Sequence, residues 1–556
     1  MPTGYFSLIL HAHLPFVRHP EDATVMEEDW LYEAITGTYL PLLQMFEGLI
    51  TDGVPYRCTI SLSAPLISML TDDLLKERYA QYLDDLILLA AKELERTRSE
   101  PAYHRLAQMY SDRFHGLRHT WRCHDGNLVN AFRQLQEAGR LEVITSTATH
   151  AFFPLMDRNW AAIRAQVHTA ADLYEKHFGR RSLGMWLGEC GYVPGVDELL
   201  REASVRYFMV DTHGILFADR RPVHGVYAPL YCPTGVAAFG RDTESSEQVW
   251  SAKHGYPGDP HYRDFYRDIG FDLPMDYIAP HIHPAGHRMA TGFKYHAITH
   301  DKLHDKWIYD PDAARGKAGL HASHFRGNME KQAQRLVDTG NFPSDRPPII
   351  VSPYDAELYG HWWYEGPTFL GDLFRQLHYD QSGVLAITPG DYLEHHPTNQ
   401  VATPCASSWG MKGYSEQWLN ETNAWTYRHV HAAGERMVEL ARRYVGASDR
   451  DTTRALNQAA RELMLAQASD WTFIMSTGTT VPYATRRFNE HIVRFNRLYE
   501  SLGGGAGSNG SAGSNGSGGS NGSGGARGLA IDPAYLAGLE AQDNIFPDVD
   551  YRIYAS

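Results

Sequence analysis

Cysteine is scarce in this chain and badly placed for bridging. Cys58, Cys123, Cys190, Cys232 and Cys405 are odd in number and widely spaced, with no Cys-x-x-Cys among them. That excludes a disulfide framework and a zinc–thiolate site, and it fits a reducing compartment. Long apolar runs are missing too. Nothing reaches the ~18 residues that a bilayer demands, and 1–14 has neither a basic leader nor a long apolar core. The cytoplasm is the expected location, with no membrane partner. Positive charge is the third deficit. Lys plus Arg number 51 against 66 Asp plus Glu, for a formal charge of −15. Without clustered basic residues a nucleic-acid partner is not expected.

Aromatic residues are abundant, at 12% with 32 Tyr and 12 Trp. The densest stretch is Val351-Ser-Pro-Tyr-Asp355-Ala-Glu357-Leu-Tyr-Gly-His361-Trp362-Trp363-Tyr-Glu365-Gly-Pro367, directly after the apolar run Pro348–Val351. A buried strand leading at once into acids and rings is what the carboxyl end of an α/β barrel presents to a sugar. The same layout recurs along the chain. Tyr5–Leu10 reads as a strand leading to His11 and His13, and Leu141–Ser146 as one leading to His150. Met185–Leu187 leads to Glu189, and Tyr207–Val210 to Asp211 and His213. Strands alternating with helices, with polar residues at the strand ends, argue for a parallel barrel.

The expected organisation follows. Residues 1–71 open the barrel. Two helices without an intervening strand make 72–126 an inserted helical subdomain. Residues 127–396 complete the catalytic barrel and 397–502 form a C-terminal helical domain. Residues 503–526 are a Gly/Ser/Asn linker of low complexity, and 527–556 a tail that docks on the body. The linker composition predicts a coil about 25–30 Å across. Pro222–His287 is expected to be irregular, Asn328–Val337 helical, and Val384–Thr388 the last barrel strand.

Glu189 and Asp355 are the candidate catalytic pair. Glycosidic cleavage needs one acid to protonate the leaving oxygen and one carboxylate across the anomeric carbon. Glu357 and Glu365 are alternatives for the acid. His11, His13 and His150 suit hydrogen bonds to sugar hydroxyls, a metal site built on His-x-His, or plain burial as bonded histidines. His281, His283 and His287 form a further local cluster. Trp409 and Trp418, bracketing Gly410–Tyr414, are either a platform for an acceptor chain or packing rings, and Asp470-Trp471 reads both ways as well.

Three segments resemble glycoside hydrolase family 57, and within it the 1,4-α-glucan branching enzymes. They are His11-Ala-His13-Leu-Pro-Phe-Val-Arg18, Trp186-Leu-Gly-Glu189-Cys-Gly-Tyr192 and Tyr354-Asp355 through Trp363. Phe239–Asp242, Gln248–Ser251, Gly255–Gly258 and Gln467–Trp471 extend the match over nearly the whole chain outside the linker. The resemblance implies an incomplete (β/α)7 barrel and a retaining transglycosylase without metal or other cofactor. Its partner would be an α-1,4-glucan, and the protein a monomer or weak homodimer. It implies Glu189 as nucleophile and Asp355 as acid/base, with carboxyl groups ~5–5.5 Å apart. His11, His13, His150, Trp186, Asp211, Arg241, Phe271, His361, Trp362, Trp409, Trp418 and Asp470 would line the substrate path, Phe271 falling where some relatives carry Trp. Two departures stand out. Gly188 replaces the family's usual Pro before the nucleophile, and the mobile loop of relatives, placed here near Gly235–Glu247, has no Tyr. The alternatives are a 4-α-glucanotransferase or hydrolase of the same family, a metal-dependent deacetylase or mannosidase, and an inactive glucan-binding protein.

Overall fold

A computed structural model describes residues 2–251, 254–299, 305–343, 345–503 and 531–556. The linker expected at 503–526 lies outside them apart from Gly503. The chain forms two compact units. One comprises 1–146, 174–186 and 200–405; the other comprises 147–173, 187–199 and 406–556. Among the described residues no helix is long and apolar enough to cross a membrane.

The first unit carries all ten strands found among the described residues. They are β1 (Gly4–Ala12), β2 (Cys58–Leu62), β3 (Leu141–Ser146), β4 (Gly184–Trp186), β5 (Tyr207–Val210), β6 (Leu230–Tyr231), β7 (Ala237–Gly240), β8 (Ile349–Asp355), β9 (Val384–Ala386) and β10 (Gln400–Val401). Seven of them run parallel in the order β8-β1-β2-β3-β4-β5-β7. The first five of these in chain order are buried from end to end. That is why they read as continuous apolar runs rather than as alternation. Between β7 and β8 there is no ladder. The Asp242 N–H donates to the Val351 carbonyl at 2.8 Å, and the Tyr354 hydroxyl donates to the Ser245 carbonyl at 2.8 Å. This is the incomplete (β/α)7 barrel.

Two long helices stand between β2 and β3, α1 (Asp73–Arg96) and α2 (Pro101–Cys123). Leu75, Tyr79, Leu83, Leu86 and Leu89 repeat at helical spacing and form the buried stripe of α1, and the Asp72 carboxylate caps its first turn. Upstream, Ile35–Tyr39 form one π-helical turn between two α-helical pieces. This wide turn meets the loop after β8 backbone to backbone. A Cβ at Gly360 (φ 120°) would lie 2.0 Å from the Gly37 carbonyl oxygen, so position 360 needs glycine for this close approach.

Pro222–His287 is not irregular throughout. It holds β6, β7 and the helix Thr243–Trp250. β7 is Ala-Ala-Phe-Gly, without the β-branched residues that mark a strand, so its ladder to β5 was not visible in the sequence. The placement of a mobile loop at Gly235–Glu247 is therefore corrected: strand and helix occupy it. The helix expected at Asn328–Val337 runs from Pro311 to Asp338. Its buried stripe includes Ala314, Ala318, Ala322 and Ala333, which contrast too little with the opposite face to show periodicity.

The second unit is helical, built on Tyr427–Arg443, Arg450–Ala466, Ser469–Thr477 and Val481–Ser501. Residues 531–556 pack within it. Asp543, fully buried, receives Arg494 Nη1 at 2.5 Å and Arg487 Nη2 at 3.3 Å. Glu462 and His491, also buried, pair beside it at 2.8 Å. Arg461 donates to the Phe546 carbonyl at 3.2 Å, and the Tyr551 hydroxyl to the Tyr444 carbonyl at 2.5 Å. Removing one partner of a buried ion pair leaves an uncompensated charge. Asp543→Ala is accordingly expected to lower stability by about 3–5 kcal/mol, read as a drop in denaturant midpoint.

Candidate active site

Asp355 closes β8, and its neighbour in register on β1 is His11, which in turn faces Ser61 on β2. Three strand ends thus set a carboxylate, an imidazole and a hydroxyl side by side. His11 Nδ1 lies 3.2 Å from Ser61 Oγ, and its ring stacks on Trp186 at 4.3 Å and on His13 at 5.6 Å. Burial, with His13 beside it, holds the His11 imidazole well below its ordinary pKa. It is neutral at pH 7, able to donate through one nitrogen and accept through the other. Trp186 is fully buried and forms the floor under His11. His13 Nδ1 sits 2.9 Å from Ser63 Oγ.

The three acids after β8 separate by environment. Glu357 is buried, and its Oε1 accepts the His13 backbone N–H at 3.1 Å and the Tyr39 hydroxyl. Glu365 is buried as well and accepts the Tyr309 hydroxyl at 2.7 Å and the Arg263 backbone N–H at 3.1 Å. Asp355 is the one of the three with a partly exposed side chain. The two tryptophans separate in the same way. Trp363 is 1% exposed and belongs to the core, whereas Trp362 is 53% exposed and leans on Phe265 at 4.4 Å. His361 takes the Thr38 hydroxyl oxygen as acceptor for its backbone N–H at 3.1 Å. Asp211 caps a short helix by accepting the Thr212 N–H at 2.7 Å, and Arg241 Nε donates to Ser246 Oγ at 3.0 Å. Phe271 is half exposed on the wall of a cleft that His361 also lines.

Glu189, His150, Trp409, Trp418 and Asp470 belong to the second unit. Glu189 sits in a turn with φ 61°, followed by Cys190 at φ 50°, and His150 has φ 59°. Three non-glycine residues in the left-handed region carry strain of the kind that collects at functional sites. The strain is held in place from both sides. The Trp409 N–H donates to the Glu189 carbonyl at 3.1 Å, while its indole Nε1 donates to Oε2 at 2.9 Å. Ser469 Oγ donates to Oε1 at 2.9 Å and lies 2.9 Å from His150 Nδ1. The serine has one proton and gives it to the carboxylate, so the imidazole must be the donor to its oxygen. The result is a carboxylate with each oxygen aimed by a separate donor.

Ser469 was not singled out from the sequence, although it stands in the quoted Gln467–Trp471 segment. Asp470, its neighbour, lies in the first turn of the helix Ser469–Thr477. Trp418 is 1% exposed and stacks on Phe152 at 4.4 Å, a packing ring without a face for a sugar.

Gly188 has a reason of its own. A Cβ there would fall 2.6 Å from the Ala151 carbonyl oxygen and 2.7 Å from that of His150. The backbone crowds this position, so glycine tightens the turn rather than loosening it. Gly188→Ala, and Gly188→Pro with the same added carbon, are expected to cost about 1–3 kcal/mol by overpacking and to lower kcat/KM. Thermal melts and initial rates check both. Burial raises the Glu357 carboxyl from 4.5 to about 7. An acid shifted upward stabilises the fold below its unfolded pKa and loses that contribution as pH rises through the folded value. Glu357→Gln should therefore gain in melting temperature relative to wild type on going from about pH 5 to about pH 8. An unchanged difference between the two proteins at both pH values would contradict this.

Comparison with known proteins bears on the whole chain. Residues 7–406 match the model of glycosyl hydrolase family 57, and residues 429–554 match that of the 1,4-alpha-glucan branching enzyme C-terminal region. The chain is 34% identical over 533 residues to a 1,4-alpha-glucan branching enzyme of Thermococcus kodakarensis, covering 90% of this chain and 74% of the relative. The crystal structure of the α-amylase AmyC from Thermotoga maritima superposes with a TM-score of 0.90 at 43% identity, over 100% of this chain and 99% of that one. The branching enzyme from Pyrococcus horikoshii superposes with a TM-score of 0.84 at 31% identity, over 100% and 97%. On the extent of the family match, this chain belongs to glycosyl hydrolase family 57.

Proposed function

We propose that this protein is a 1,4-α-glucan branching enzyme. It cleaves an α-1,4 link, keeps the fragment as a glycosyl ester, and passes it to a 6-hydroxyl to make an α-1,6 branch. The observation that carries the reading is the succession, in one chain, of the family 57 stretch and the branching-enzyme C-terminal stretch. A second reading, α-glucan hydrolysis, is favoured by the similarity to the α-amylase AmyC. The two differ only in whether water or a sugar hydroxyl opens the ester.

Glu189 acts as the nucleophile. Support comes from its oriented carboxylate: the Trp409 indole on one oxygen and the Ser469 hydroxyl on the other keep the group aimed before substrate arrives. Asp355 acts as acid/base, protonating the departing oxygen and later accepting the proton of the acceptor hydroxyl. Its partial exposure beside His11 supports that role over Glu357 and Glu365. His11 and His13 offer hydrogen bonds to the reacting sugar, and Trp362 offers an exposed ring. Trp186 and Trp418 act as supports beneath other side chains. Glycogen-type polymer synthesis in the cytoplasm is the setting inferred, consistent with five free thiols.

Amylose incubated with the enzyme should yield more new α-1,6 linkages than new reducing ends. Glu189→Gln and Asp355→Asn should each lose about three orders of magnitude or more in rate. Reducing ends without 1,6 linkages would establish hydrolysis instead, and full turnover by Glu189→Gln would remove Glu189 from the mechanism.

A further inference from the structure

Two cavities in the first unit share lining residues and extend the cleft of Phe271 and His361 into one trough. The first, of about 210 Å³, is lined by Gly360 and His361, on the loop that follows β8. The second, of about 260 Å³, shares Tyr82, Leu86 and Ala290 with the first and is also lined by Asp85, His281 and His283. One wall is the inserted hairpin of α1 and α2. The other is the segment from Arg263 to Phe271 with the strip Pro280–Thr291. His281 and His283 of the histidine cluster conspicuous in the sequence thus line the second cavity, away from Gly360 and His361.

The lining suits a neutral, hydroxyl-rich chain. Tyr266 is 80% exposed and Phe271 51%, rings whose faces are open at the rim. Arg113 and Arg263 both stack on the Tyr364 ring, at 4.7 and 4.1 Å, which fixes the planes of their N–H groups. Among the described residues neither guanidinium has a carboxylate within ion-pair distance. Burial lifts the Glu33 carboxyl to about 7, so near neutrality it is present both as donor and as acceptor. Lys294, Arg113 and Arg263 at one end face Asp29 and Asp85 at the other. The trough therefore has no single sign of charge to select an ion, but it has donors, acceptors and rings at intervals. That combination recognises the alternating apolar faces and hydroxyl edges of a glucan.

We propose that this trough binds several consecutive glucosyl units of a linear α-1,4-glucan, away from the bond being broken, and thereby sets the shortest chain the enzyme handles well. This rests on the α-glucan reading above. Full-length Asp355→Asn protein, which retains substrate, is titrated calorimetrically with maltoheptaose and with maltotriose. In the Asp355→Asn background, Tyr266→Ala with Arg113→Ala is expected to weaken maltoheptaose about tenfold while maltotriose changes less than twofold. Tyr266→Phe should keep the affinity, since it keeps the ring. With Asp355 intact, the Tyr266→Ala/Arg113→Ala pair should also shift the length distribution of transferred chains. Equal weakening of both oligosaccharides, no weakening, or no measurable maltoheptaose binding overturns the proposal. Linkage analysis of the wild type is read separately, so a failure of branching is not mistaken for a failure of the trough.

Discussion

A carboxylate gripped at both oxygens is the constraint on which the second unit's candidate chemistry depends. The Glu189 backbone lies in a region of φ that side chains avoid, and its carbonyl is tied to Trp409. A relaxed turn would turn the side chain elsewhere. Indole and serine donors then remove the remaining freedom of the carboxyl group. Because these donors are placed before any sugar binds, the reaction does not have to reorganise them. The crowding around Gly188 is part of the same device, since carbonyls of His150 and Ala151 press on the turn from below.

In the first unit the organising element is β1. It pairs with β2, β8 and β9, and its register places His11 between Ser61 and Asp355. A slip of one residue would turn His11 to the opposite face of the sheet. The ring stack from Trp186 through His11 to His13 then packs the end of β4 against the end of β1. Glu357 anchors this arrangement from outside by accepting from both His13 and Tyr39.

The strand ends were legible because burial on both faces makes each parallel strand an apolar run, and a polar residue directly after it is conspicuous. Asp355, Glu189 and the histidines stand out as candidates that way. The tryptophan pair Trp362-Trp363 could not be divided by sequence, because which ring is outside depends on how the loop after β8 turns. The environment that sets Glu357 apart from Asp355 is not legible in the sequence, because Tyr39, over three hundred residues away, supplies its hydrogen bond. β7 escaped because three of its four residues are small and none is β-branched, so it has no strand signature until β5 supplies a partner. The long helix Pro311–Asp338 was half seen because its buried stripe is mostly alanine. Ser469 was overlooked since a hydroxyl gains meaning only from the carboxylate it meets.

The wide turn at Ile35–Tyr39 carries a consequence for how this scaffold tolerates change in length. It adds one residue to a helix that would otherwise keep a regular pitch. Taking that residue out would swing everything on one side of the turn by about 100° relative to the other. Glu33 precedes the turn and Tyr39 is its last residue, so one of the two would lose its present bearing. A homologue lacking the extra residue must either re-equip both faces of this helix or give up the connection between the anchor at Glu357 and the wall that Glu33 helps to form. Insertions and deletions here should thus be inherited together with substitutions at 33, 39 and 357, whereas surface loops elsewhere in the chain can vary in length on their own.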